Sequence, residues 1–158
     1  MANVASERIG CMRWESTDGK RLDLRIAGYQ FPDLLGHDAD ETAWDDANWL
    51  IVAGRVLVDV GYGWSFAEPC MSAFEALRLG VWLQQATDGG HPVPLGFLEP
   101  CLAFSLIDSS TVAVRFSHEA APSRRVDEPV DVEFSLGAGW LARAADEWLA
   151  EVRLFPPR

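Results

Sequence analysis

"VDVEFSLGAGWLARAADEWLAEV", residues 130 to 152, changes its apolar period half-way along. Val130, Val132, Phe134 and Leu136 alternate with Asp131, Glu133 and Ser135, the two-residue period of a strand with one buried face. Beyond Gly137, Trp140, Leu141, Ala144, Ala145, Trp148 and Val152 recur at helical spacing, one apolar stripe of an amphipathic helix, and "FPPR" at 155 to 158 stops it. A half-apolar strand feeding a half-apolar helix points to an antiparallel sheet with one solvated face. A parallel sheet, covered on both sides, would read as continuous apolar runs.

Outward from that stretch the same grammar repeats. Leu102, Phe104 and Leu106 alternate, "DSS" at 108 to 110 turns the chain, and Val112, Val114 and Phe116 return, which predicts a hairpin. Ser72 and Glu75 have the spacing of a capping box ahead of "ALRLGVWLQQ", and this predicts a helix over 72 to 86, ended by "TDGGHPVPLG". From Asn48 to Val60 the residues are β-rich, and "GYG" at 61 to 63 separates them from Trp64, Ser65 and Phe66, a second hairpin. "CMRWESTDGKRLDLRIAG", residues 11 to 28, carries an Asp18-Gly19 turn between two strand-like arms, a further hairpin. A long connection over Tyr29 to Asp46 exceeds what a compact domain normally uses. The order strands, helix, strands, helix predicts an α+β fold: one domain over 1 to 158, a mainly antiparallel sheet of six to seven strands, and two helices packed on one face. Arg25, Arg55, Arg115, Asp131 and Glu133 then share the non-core face, either solvated or open to a docking partner.

Composition excludes several functions. With 24 acidic against 13 basic residues the net charge is −11, a field that repels a polyanionic backbone and attracts a basic partner. Nucleic acid is therefore not an expected ligand. No apolar run approaches the roughly 18 residues of a membrane span and the first residues lack the apolar core of a leader, so a cytoplasmic protein without membrane contact is expected. Oligomeric state is left open. Cys11, Cys70 and Cys101 are odd in number and lack CxxC spacing, which fits reduced thiols and neither a disulfide framework nor a zinc knuckle.

Reactive chemistry has few candidates. "EPC" occurs at 68 to 70 and again at 99 to 101, but one copy leads into a capped helix and the other into a strand. Cys70 stands just before a helix N-terminus, where a thiol pKa is lowered, yet none of His37, His91 or His118 has a spacing that makes it the base. "HDADETAWDD" at 37 to 46 is rich in ligand oxygens but lacks the Gly and the distal Glu of a calcium loop. No phosphate loop, nucleophile elbow or metalloprotease motif is present, and no cofactor is expected. The acidic loops are either simply solvated or the local candidates for contact with a basic protein. Asp38, Asp40, Glu41, Asp45, Asp127 and Glu128 would supply steering charge, and Trp44 an aromatic anchor.

Taken together, "IAGYQFP" at 26 to 32, "DDANWLIVAGRV" at 45 to 56, "WSFAEPC" at 64 to 70, "FEALRLGVWL" at 74 to 83, "FLEPCLAFSL" at 97 to 106 and the "FPPR" ending resemble the WapI-type immunity proteins of bacterial contact-dependent toxin systems. The most specific piece is "DANWL" at 46 to 50, with the Gly-Tyr-x-Phe-Pro segment before it. The resemblance implies a small cytoplasmic binding protein, not an enzyme, that neutralises the toxic C-terminal domain of a secreted toxin, often a nuclease, by occluding it. The alternatives are a small α+β domain of regulatory or structural role, or an enzyme using Cys70 or the His37 to Asp46 cluster. Within "DANWL", Trp49 and Leu50 are expected to open a strand, with Asp46 and Asn48 satisfying the turn before it.

Overall fold

A computed structural model of the chain describes residues 11–34, 46–122, 128–137 and 139–158. The first half forms β1 (Met12–Glu15), β2 (Arg21–Tyr29), β3 (Trp49–Asp59) and β4 (Tyr62–Ser72), followed by helix α1 (Ala73–Thr87). The second half forms β5 (Leu95–Gly96), β6 (Leu102–Leu106), β7 (Thr111–Phe116), a short 3-10 turn at His118–Ala120, β8 (Val130–Ser135) and helix α2 (Trp140–Leu154). The four hairpin and strand segments and both helices read from the sequence fall where their periods place them.

The arrangement of strands differs from the expected single sheet of six to seven strands with helices on one face. There are two four-stranded antiparallel sheets, ordered β1-β2-β3-β4 and β5-β6-β7-β8. The eighth strand is the two-residue β5 inside "VPLG", too short to leave a period in the sequence. The sheets fold toward each other because each has one apolar face that needs cover. Trp14 stands edge-on to Phe104 and Phe134, with ring centroids 6.1 and 5.6 Å apart. Trp64 and Phe66 meet Phe116 at 5.3 and 6.1 Å. At one edge the sheets are joined through the backbone by a bridge between Ser16 and Leu136, where Thr17 N–H donates to Ser135 O at 2.8 Å. At the other, Trp64 Nε1 donates to Ala120 O at 2.9 Å.

Local chemistry sets the turns and the helix ends. Gly19 and Gly61 take φ of +92° and +82° in the two first hairpins, a backbone region that side-chain-bearing residues rarely adopt. Ser72 Oγ accepts from Glu75 N–H at 3.2 Å while Glu75 Oε1 accepts from Ser72 N–H at 3.1 Å, the reciprocal cap that the spacing predicts. The second Glu75 oxygen holds Leu98 N–H at 2.8 Å, so the same side chain ties the loop before β6 to the helix.

Helix α2 lies against α1 and along β1. Leu141, Ala144, Ala145, Trp148 and Val152 are buried, as their spacing requires. Two acids of the same helix, four residues apart, do something the stripe does not announce. Glu147 Oε2 accepts from Arg13 N–H at 3.0 Å, and Glu151 Oε1 from Ile26 N–H at 2.9 Å. Among the described residues, carboxylates of α2 thereby cover N–H groups along the edge of the first sheet, donors that would otherwise template pairing.

Candidate functional site

Of the residues expected to meet a partner, Asp38, Asp40, Glu41, Trp44, Asp45 and Asp127 lie outside the described residues, as does His37. Glu128 is described, and it is exposed just ahead of β8. Asp46 is exposed in a helical turn directly before β3.

The segments that carried the family resemblance converge on Arg158. Its guanidinium donates to Phe31 O at 2.9 Å, Pro32 O at 3.1 Å and Ala47 O at 2.9 and 3.2 Å. It also stacks on the Tyr29 ring, 3.8 Å from Cζ to the centroid. Asn48, 1% exposed, exchanges hydrogen bonds with the backbone of Arg158: Arg158 N–H to Oδ1 at 2.8 Å, and Nδ2 to Arg158 O at 3.1 Å. Tyr29 OH donates to Pro156 O. Asn48 thereby reaches a residue 110 positions away; the chain just ahead of Asp46, whose turn it was expected to satisfy, lies outside the described residues. "GYQFP", "DANWL" and "FPPR" are three sides of one structural joint, and four hydrogen bonds from the guanidinium are made within it.

The two "EPC" copies are brought together. Cys70 is fully buried in β4, and its thiol lies near that of Cys101, just before β6. The neighbouring Cys101 thiol, with burial second, pushes the Cys70 thiol above its usual range, the opposite of the lowering expected from the helix N-terminus. Cys101 Sγ in turn donates to Glu119 Oε2 at 3.9 Å. Cys70 thus packs in the core, out of reach of solvent. Among the described residues no cluster of three or more His, Cys, Asp or Glu side chains is arranged to hold a metal ion.

Two surfaces remain. On α1, Leu77 and Val81 are exposed beside Val93 and Leu98, and a cleft of about 340 Å³ runs between the helix and Pro92 to Leu95. The other is the outer face of the first sheet. Strand register sets Arg13 opposite Asp23, Asp23 opposite Arg55, and Arg55 opposite Ser65. Arg21 and Arg25, two residues to either side of Asp23, point the same way. Asp23 accepts from Arg13 Nε at 2.8 Å and lies 3.2 Å from Arg21 Nη2. Two clefts of about 410 and 580 Å³ share Asp23, Arg55 and Ser65 in their walls. The sequence had marked Arg25 and Arg55 for this face but not Arg13 and Arg21. The pairing of the arms about Gly19 was the available signal, since it fixes which residues stand opposite one another. Arg115, Asp131 and Glu133 belong to the second sheet, where Arg115 and Asp131 pair at 2.8 and 2.9 Å, holding the Asp131 carboxyl below its usual range.

The model of the immunity protein WapI-like family matches residues 13–156, and the chain belongs to that family. Searches of curated proteins and of solved structures give no match. No helix among the described residues is long and apolar enough to cross a membrane.

Proposed function

We propose that this protein binds the toxic C-terminal domain of a secreted bacterial toxin in the cytoplasm and neutralises it by covering its working surface. The family match over residues 13–156 carries the reading. The charge supports it: a nuclease domain that grips a polyanionic backbone is itself basic, and a −11 partner speeds its capture and competes for the same groups. In this reading Asp38, Asp40, Glu41, Asp45, Asp127 and Glu128 supply the attraction and Trp44 the anchor.

The test is co-expression with the toxin domain encoded by the reading frame next to this one, together with a binding titration of the purified pair. Cell survival and a sub-micromolar Kd are the expected results. Continued toxicity with no measurable binding would overturn the proposal. Reversing the six acidic charges is expected to lower the association rate and flatten its salt dependence. An unchanged rate would move the interface away from these loops.

A further inference from the structure

We infer that the outer face of the first sheet receives a carboxylate-bearing segment of the toxin domain, clasped between Arg25 and Arg55. This rests on the function proposed above and assigns it a second, oppositely charged contact. Four guanidiniums, those of Arg13, Arg21, Arg25 and Arg55, share this face with the carboxylates of Asp23 and of Glu15, which stands opposite Arg21. Glu68 also lines the larger of the two clefts, but the centre of the face is held by guanidiniums, on a chain whose net charge is −11.

The one central carboxylate is already engaged. Asp23 binds Arg13 and Arg21, and neither Arg25 nor Arg55 forms an ion pair or hydrogen bond with any described residue. Arg25 stands opposite Ala53 and Arg55 is two residues further along β3. They are diagonal neighbours on adjacent strands, with Cβ atoms about 7–8 Å apart. Long side chains at that separation converge on a single carboxylate, and a guanidinium fork matches its two oxygens. The floor beside them is Ala53, Gly63, Ser65 and Ala67, small enough to leave the two clefts open on either side of Arg55.

A nucleic-acid phosphate would meet the same forks, but the rest of the surface repels a polyanion. An Asp or Glu on an otherwise basic protein has no such penalty. The patch would also reject any basic surface presented to it, so it fixes the orientation in which the acidic loops engage.

The variants are Arg25→Glu with Arg55→Glu, the milder Arg25→Gln with Arg55→Gln, and Arg78→Glu, which changes charge on exposed α1 instead. Titrated against the toxin domain of the neighbouring reading frame, the Glu pair is expected to weaken affinity by about thirtyfold or more. The Gln pair should weaken it less, and Arg78→Glu should leave it unchanged. Equal losses for Arg78→Glu and the sheet variants, or no loss for the Glu pair, would overturn the inference. A second arm does not need the toxin: acetylated hexaglutamate amide is titrated while the Arg25 and Arg55 side-chain Nε–H signals are followed by NMR. Saturable shifts that vanish in the Gln pair support the clasp, and static signals overturn it. If the wild-type protein fails to bind the toxin domain, the proposed function falls and the peptide titration alone decides this contact.

Discussion

Trp14 and Trp148 are both fully buried, and among the described residues only one of them has an acceptor for its indole N–H. Trp148 Nε1 donates to Ala76 O at 2.8 Å and so fastens α2 to α1, whereas Trp14 Nε1 has no hydrogen-bond partner among the described residues. Removing a similar volume from each should therefore cost differently. Trp148→Phe is expected to destabilise more than Trp14→Phe by about 1–3 kcal/mol in urea unfolding, since the first loses a hydrogen bond and the second relieves an unpaired donor. Asp18 gives a pH prediction. Hydrogen bonds from Lys20 and then Ser16 hold its carboxyl at about 2, below the ordinary 3.8. A group depressed in the folded state contributes stability above its ordinary range and loses it as pH falls through the folded value. The Asp18 carbon signal should titrate near the lower value, and the contribution should fade between those two limits and be absent in Asp18→Asn. The burial of individual apolar residues was legible in the sequence because period alone assigns a face. The approach of Cys70 to Cys101 was not legible, since they stand 31 positions and a helix apart and their proximity depends on how the sheets meet.

At the scale of elements, α2 shows what a period reveals and what it hides. Its apolar stripe was readable, but Glu147 and Glu151 look in sequence like solvent-facing acids. They cap the backbone of β1 and β2 because α2 runs along the open edge of the first sheet. Glu151 is only 6% exposed, so truncating it strands Ile26 N–H in a dry site. Glu151→Ala is expected to cost about 1.5–3 kcal/mol, the range of hydrogen bonds to charged groups. A change within experimental error in the denaturation midpoint would show that the edge is closed by other means. The hairpins were legible for a local reason. Asp18-Gly19 and the Gly-rich 61 to 63 turn demand backbone conformations that glycine supplies, and alternation then sets the arms. β5 was not, since two residues have no period to read.

For the whole molecule the decisive joint is the one around Arg158, which binds the end of β2, the entry to β3 and the last residues into one unit. A lysine there keeps the charge but offers a single ammonium where three carbonyl groups and an aromatic face are now met. Arg158→Lys should lower stability by at least about 1.5–3 kcal/mol. It should also leave the toxin affinity of the folded fraction unchanged, which separates a structural joint from a binding site. Calorimetry and a titration on the same sample test both halves. The sequence by itself determined the strands other than β5, the helices, their inward faces, the cap of α1 and the sign of the net charge, because each rests on neighbours within a few residues or on composition, and its motifs carried the resemblance to the family. Tertiary structure decided that there are two sheets rather than one, that the two Cys-bearing copies touch, that acids close a sheet edge, and that four arginines gather on one face of an acidic chain. Those outcomes depend on which apolar faces are left to cover each other. Periodicity marks a face as needing cover without naming what covers it.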